Sequence, residues 1–164
     1  MPEDYQIEMT TSETDFADCS AMMATQDPWV KLGFTEADCL LAFPGDYRQV
    51  WVWRKAEQIR GFIIVQHKGS FRGYIQTLCV HPDFQNTGSG SALLVFAEKQ
   101  IAAYSPNVFI CVSSFNEKAH ALYLRKGYSE VGILKDFIKT GLDEILMRKT
   151  SGPNLHYKPP QSSI

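Results

Sequence analysis

Residues 5–10 alternate apolar and polar, with Tyr5, Ile7 and Met9 on one side, as a half-buried strand requires. Ser12 then offers an N-cap, and Asp15 follows three residues later in a loose capping box. The period changes to that of a helix, with Phe16, Cys19, Met22 and Met23 on one face until Asp27-Pro28 ends it. Thr35, followed by Glu36 and Asp38, predicts a second helix start; Leu40 and Leu41 give its apolar side, and Pro44-Gly45 stops it. Two runs rich in β-branched and aromatic residues, 50–53 and 59–65, flank a polar turn at Glu57 and predict a hairpin. A turn at His67-Lys68-Gly69-Ser70 leads to a third strand from Arg72 to Val80, ended by His81-Pro82. Gly88-Ser89-Gly90-Ser91 opens a helix in which Leu93, Leu94, Ala97 and Ile101 share a face. Residues 108–112 are apolar throughout, the pattern of a central strand. Residues 116–125 are helical again, with Ala119, Leu122 and Tyr123 together and Gly127 placed to end the helix. Strands near 129–134 and 144–149 complete the order β-α-α-β-β-β-α-β-α-β-β.

The chain has 164 residues, the size of one domain, and 45% of them are hydrophobic, which supports a real core. From Thr150 the sequence turns to Ser151-Gly152-Pro153 and ends near Pro159-Pro160, so we expect one domain over 1–149 and a loose tail over 150–164. The 16 basic and 18 acidic residues leave a formal charge of −2. No broad basic field exists to coat a nucleic acid, so an anionic ligand must be held by local devices. No apolar run approaches the roughly 18–20 residues of a membrane span, and no membrane partner is expected. The acidic start Met1-Pro2-Glu3-Asp4 lacks the parts of a signal peptide. Cys19, Cys39, Cys79 and Cys111 are widely spaced, which predicts a cytoplasmic, reduced protein with no disulfide and no metal site.

The stretch from Leu78 to Ser91 carries the chemistry. A strand ends, a loop with Gly88 and Gly90 follows, and a helix begins. A helix start offers unpaired N–H groups and a partial positive charge, and glycines let a phosphate approach the backbone. The spacing alone fits a flexible strand-to-helix turn equally well. A P-loop requires a lysine after the second glycine, and here Ser91 stands there; a dinucleotide fingerprint requires a third glycine where Leu93 stands.

Gln85-Asn86-Thr87-Gly88-Ser89-Gly90, preceded by Val80-His81-Pro82, resembles motif A of the GCN5-related N-acetyltransferase (GNAT) superfamily. A second signature of that family stands further on as Asn116, Ala119, Leu122, Tyr123, Gly127 and Tyr128. The resemblance covers about residues 5–149 and implies an α/β fold: a mixed, mostly antiparallel sheet of six to seven strands with helices on both faces. It implies transfer of an acetyl group from acetyl-CoA to an amine by direct attack. Backbone N–H groups from Asn86, Thr87, Gly88, Ser89, Gly90 and Ser91 would hold the CoA pyrophosphate, with Gln85 beside them. Leu78, Cys79 and Val80 would pair with the pantetheine arm, Asn116 would bond it, and Tyr123 would lie at the thioester sulfur as the catalytic acid.

Each role has a plainer alternative. Gln85 caps the loop, Asn116 caps a helix, and Tyr123 packs in the core. No general base stands out. Gln76 is placed to orient a water, while His67, His81 and Glu117 are weak candidates. Trp29 and Phe43 belong to the acceptor end; Asp143 and Glu144 are read as a solvated turn that could instead attract a cationic amine. Two other readings stay open: a GNAT-fold module that binds acyl-CoA without reacting, and an enzyme acting on a protein N-terminus or lysine. A homodimer is likewise left open.

Overall fold

The computed structural model describes residues 6–43 and 45–161, so the readings placed on Tyr5, on Pro44 and on residues 162–164 lie outside the described residues. The apolar run Phe62-Ile63-Ile64-Val65 lies in strand β3 (Gln58–Gln66), and all four side chains are buried. Ile63 and Val65 join one core with Leu93, Leu94, Ala97 and Ile101. Phe62 and Ile64 join a second core with Cys19, Met23 and Phe43. A strand covered on both faces has no polar side to show, which is why this run does not alternate.

Before β3 come β1 (Gln6–Thr10), α1 (Glu13–Ala24), α2 (Trp29–Leu32), α3 (Glu36–Leu40) and β2 (Arg48–Lys55). After it come β4 (Tyr74–Val80), a 3-10 turn (Pro82–Phe84), α4 (Ser89–Ile101), β5 (Asn107–Ser113), α5 (Glu117–Arg125), β6 (Ser129–Lys139) and β7 (Leu142–Thr150). Seven strands form one sheet in the order β1-β2-β3-β4-β5-β7-β6. The β4–β5 pair is parallel and the other neighbours are antiparallel. This is the mixed, mostly antiparallel sheet with flanking helices that the sequence implied.

Three local differences matter. The one-turn helix α2 was not expected, because four residues are too few for helical periodicity to show. The capping box at Ser12 is half formed: its hydroxyl accepts the Asp15 N–H at 3.4 Å, but the Asp15 carboxylate turns to Thr10 and Arg54. A complete box stands at Thr35 and Asp38 instead. Finally, β6 and β7 are longer than expected and form a hairpin around Thr140-Gly141.

The sheet is open in the middle. β4 and β5 share only the pairs Tyr74↔Phe109 and Ile75↔Ile110. On the other side of β4, Ile64 pairs Thr77 and Val65 pairs Ile75, so Gln76 is an extra residue. Such a bulge bends its strand, and Leu78, Cys79 and Val80 run on without a β5 partner. At the apex, Gly73 has φ 91°, and a Cβ there would stand 2.5 Å from the Asn107 carbonyl oxygen. Only glycine permits so close an approach of the two chains.

Among the described residues, 151–161 hold no helix or strand, yet hydrogen bonds tie them to the domain, starting with the Ser151 N–H, which donates to the Pro106 carbonyl at 3.0 Å. Asn107 donates to the Asn154 side chain at 3.0 Å, and the Tyr157 hydroxyl donates to the Ala102 carbonyl at 2.6 Å. The four cysteines are free thiols. Among the described residues, no helix is long and apolar enough to cross a membrane, and no three His, Cys, Asp or Glu side chains converge as a metal site.

Candidate active site

The loop after β4 is braced from within. The Gln85 amide donates to the Val80 carbonyl at 3.1 Å and to the Gln26 side chain at 2.6 Å. The Thr87 hydroxyl donates to the Phe84 carbonyl at 2.5 Å and lies 2.7 Å from the Ser89 hydroxyl. Those two side chains face the loop, and neither residue lines the cleft beside it. Gly88 is the N-cap of α4 with φ 85°, and no side chain caps the helix. By helix geometry the N–H groups of Ser89, Gly90 and Ser91 find no carbonyl inside the helix. A Cβ on Gly88 would meet nothing within 4 Å, and one on Gly90 would meet only Val80 Cγ2 at 3.8 Å. The helix start therefore presents bare donors to open space, which fits a phosphate.

This helix start forms one end of a cleft of about 480 Å³. Leu78, Cys79 and Val80 line it from the free stretch of β4, with Gln85, Asn86, Gly88, Gly90 and Ser91 from the loop and α4. From α5 come Ala119, Tyr123 and two cations that sequence reasoning passed over, Lys118 and Arg125. Their signal was present: Lys118, Leu122 and Arg125 recur at helical spacing on one face. The Lys118 ammonium donates to the Asn86 side chain and so spans the cleft. Cys79 turns its thiol into the second core, where burial pushes its pKa up. Asn116 caps α5, its side-chain oxygen accepting the Ala119 N–H at 3.3 Å.

The cleft adjoins a second cavity of about 360 Å³. Trp29, Leu78, Asn116, Ala119 and Tyr123 line both spaces, so Tyr123 stands at their junction. Its ring lies 5.8 Å from that of Tyr128, and burial pushes the Tyr123 hydroxyl up to about 12. The second cavity is walled by Leu32, Phe34, Phe137 and Ile138, and Arg48, Gln76, Tyr74 and Glu144 are among its polar members. Phe43, expected at the acceptor end, is instead a core residue under α1 and α3.

Gln76 is not free to orient a water in the way expected. Its oxygen accepts from Arg48 Nε and Gln66 Nε2, both at 2.9 Å, and its nitrogen donates to the Ala42 carbonyl. His67, His81 and Glu117 line neither space. The reading of Asp143-Glu144 as a solvated turn is corrected. Both residues lie inside β7, which begins at Leu142, and strand alternation sends them to opposite sides. Asp143 serves the hairpin, accepting the Asp136 N–H at 3.2 Å. Glu144 is 4% exposed and lines the cavity. Ser113, its cross-strand partner on β5, donates to Glu144 Oε1 at 2.9 Å. Oε2 is buried without a hydrogen-bond partner among the described residues. Burial raises the pKa of this carboxyl, and the Ser113 bond only partly offsets the rise.

Comparisons with known proteins show the family and the fold. Residues 33–151 match the acetyltransferase (GNAT) domain. No curated protein sequence matches significantly. Among solved structures, the ribosomal-protein-S18-alanine N-acetyltransferase of Escherichia coli superposes with a TM-score of 0.71 at 20% identity, over 93% of this chain and 99% of that one. The aminoglycoside 6′-N-acetyltransferase of Enterococcus faecium gives 0.68 at 15% identity, over 90% and 98%. An aminoglycoside 6′-N-acetyltransferase complexed with coenzyme A gives 0.71 at 14% identity, over 90% and 98%. The chain belongs to the GNAT family of N-acetyltransferases.

Proposed function

We propose that this protein transfers the acetyl group of acetyl-CoA to a primary amine by direct attack. One observation carries the reading. A cleft along the β4 stretch that has no β5 partner reaches an uncapped helix start and meets, at Tyr123, a separate cavity of a size for an acceptor. The pyrophosphate sits on the backbone donors of Asn86 to Ser91, with Lys118 and Arg125 on the facing helix. The free edge of β4 at Leu78, Cys79 and Val80 pairs with the amides of the pantetheine arm, and Asn116 bonds it from α5. A related aminoglycoside acetyltransferase structure holds coenzyme A, which supports this cosubstrate. The three buried thiols, Cys19, Cys39 and Cys79, suit a reducing compartment and support a cytoplasmic location.

In the reaction the amine nitrogen attacks the thioester carbonyl carbon, the C–N bond forms, and the C–S bond then breaks. The Tyr123 hydroxyl hydrogen-bonds the departing sulfur. With the phenol near 12, full transfer to a thiolate of ordinary pKa, about 8.5, is uphill by about 5 kcal/mol. The hydroxyl therefore helps as a hydrogen-bond donor while charge develops, and the sulfur receives its proton late.

Tyr123→Phe tests this arrangement, because it keeps the ring and removes the hydroxyl. We expect kcat to fall about 10–1,000-fold, read by free-thiol release with an amine panel. Acetyl-CoA affinity, read by calorimetry, changes less than about threefold, since the hydroxyl acts in the transition state. A wild-type rate in the Phe variant reduces Tyr123 to a packing residue. A wild-type chain that binds acetyl-CoA and acetylates no amine or peptide is a binding module.

A further inference from the structure

We propose that Glu144 receives the ammonium of the acceptor and takes its proton, and that the cavity around it selects monoamines carried on an apolar body. This rests on the acetyl-transfer reading above.

A carboxylate buried to 4% exposure is costly unless it is paired. Ser113 satisfies Oε1 and fixes the rotamer; Oε2 is held out of solvent with nothing bonded to it among the described residues. An alkylammonium in the cavity supplies the missing donor and the missing charge. The placement also suits the reaction. Ser113 is joined by a backbone bond of 2.8 Å to Asn116, which opens the helix that carries Tyr123. The carboxylate of β7, held by Ser113 at the end of β5, and the phenol of α5 thus line one cavity.

The surroundings decide what the ammonium is attached to. Trp29, Leu32, Phe34, Phe137 and Ile138 wall the cavity, and about 360 Å³ is near the small end of ligand sites. The ionisable groups near Glu144 are Tyr74 of β4 and Cys111 of β5, while Arg48 of β2 lines the same space. On the β6 side its register partner is Leu134, and Lys135 and Asp136 stay outside the cavity. One buried carboxylate thus balances one ammonium. A polycation would bring its further charges towards Arg48, with no second carboxylate lining the cavity among the described residues to meet them.

The step balances. Glu144 takes one proton from R–NH3+, giving R–NH2, whose lone pair attacks the thioester carbon. Collapse of the tetrahedral intermediate breaks the C–S bond. The nitrogen gives its second proton to water, and the departing sulfur, hydrogen-bonded by the Tyr123 hydroxyl, takes a proton from water late, giving the amide and the CoA thiol. Glu144 then releases its proton to water. Burial, by raising the Glu144 pKa, narrows its gap to an alkylammonium of about 10.4.

Glu144→Gln keeps the shape and the Ser113 bond and removes the charge. The acceptors are 2-phenylethylamine, hexylamine, spermidine and kanamycin, with kcat/KM followed across pH. We expect the wild type to prefer the first two. Its kcat/KM falls as pH drops through the raised carboxyl pKa, because only the ionised form accepts the proton. The Gln variant should lose about 10²–10⁴-fold in kcat/KM and lose that acid limb, with acetyl-CoA affinity within about threefold. Glu144→Asp, retaining a carboxylate, should recover part of the rate and the limb; it also serves as the second variant if the first fails to fold. A Gln variant within threefold of wild type overturns the proton role. Preference for spermidine or kanamycin, or turnover of none of the four, overturns the selectivity. A wild type that does not bind acetyl-CoA in the calorimeter overturns the acetyl-transfer reading itself, which separates the two failures.

Discussion

The two spaces that meet at Tyr123 are built from different materials. In the cleft proposed for the cosubstrate, the distinguishing elements are backbone: an uncapped helix start at Gly88 and a strand edge at Leu78, Cys79 and Val80. The cavity proposed for the acceptor is lined by side chains from many elements, among them α2, α5, β2, β4, β5, β6 and β7. Backbone donors suit a ligand that never changes, because a main chain cannot drift one substitution at a time. Side-chain walls suit a ligand that differs from one relative to the next. The solved relatives illustrate this, since one acetylates a ribosomal protein and others aminoglycosides on the same fold.

The contrast can be broken most forcefully at Gly90. A Cβ there has room, with only Val80 Cγ2 at 3.8 Å, so Gly90→Glu should fold. Its carboxylate would enter the anion site, and like charges brought together cost several kcal/mol. Calorimetry should show acetyl-CoA affinity falling by at least about 100-fold, with a near-native circular dichroism spectrum. Unchanged affinity would remove the helix start from the cosubstrate site. On the other side, Phe137→Ala takes one wall from the acceptor cavity. KM for 2-phenylethylamine should rise about 3–10-fold, part of the value of burying one aromatic side chain, while acetyl-CoA affinity holds within about twofold. An equal loss on both sides would mean that the two spaces are not separable. The smallest effect belongs to the tail. Ending the chain after Thr150 deletes the Tyr157 bond to Ala102, remote from both spaces. Differential scanning calorimetry should show Tm falling by roughly 2–6 °C, with kcat/KM unchanged within about twofold.

The same contrast explains what could be read in advance. The cleft is local in sequence, since residues 78–91 and 116–128 each carry a contiguous signature. Its helix start, strand end and N-cap therefore show as motifs. The cavity is not local: Glu144 meets its partner Ser113 across 31 residues, and no spacing rule joins them. Its environment depends on where β7 begins. That was hidden because Val131 and Ile133 on the edge strand are exposed, and even the cavity-lining Phe137 and Ile138 stay open to solvent on one side, so the apolar residues of β6 do not mark an inner face. Gln76 shows the opposite error. A polar residue on a strand near a site reads as chemistry, and here it is the bulge that opens the sheet, its amide tied to Arg48, Gln66 and Ala42.

The opening between β4 and β5 has a consequence for the lifetime of the protein. Two paired positions and the Gly73 apex join one half of the sheet to the other, so a seam runs through the sheet. On the proposed reading, acetyl-CoA fills that seam as a strand would, and any ligand of the folded state alone stabilises it by mass action. At a free concentration of 100 times Kd the gain is about 2.7 kcal/mol. For a chain of this size that corresponds to roughly 5–11 °C in Tm. A cell rich in acetyl-CoA would hold the seam shut against proteases, and a starved cell would leave it open. Supply of the cosubstrate would then set how long the enzyme survives as well as how fast it works.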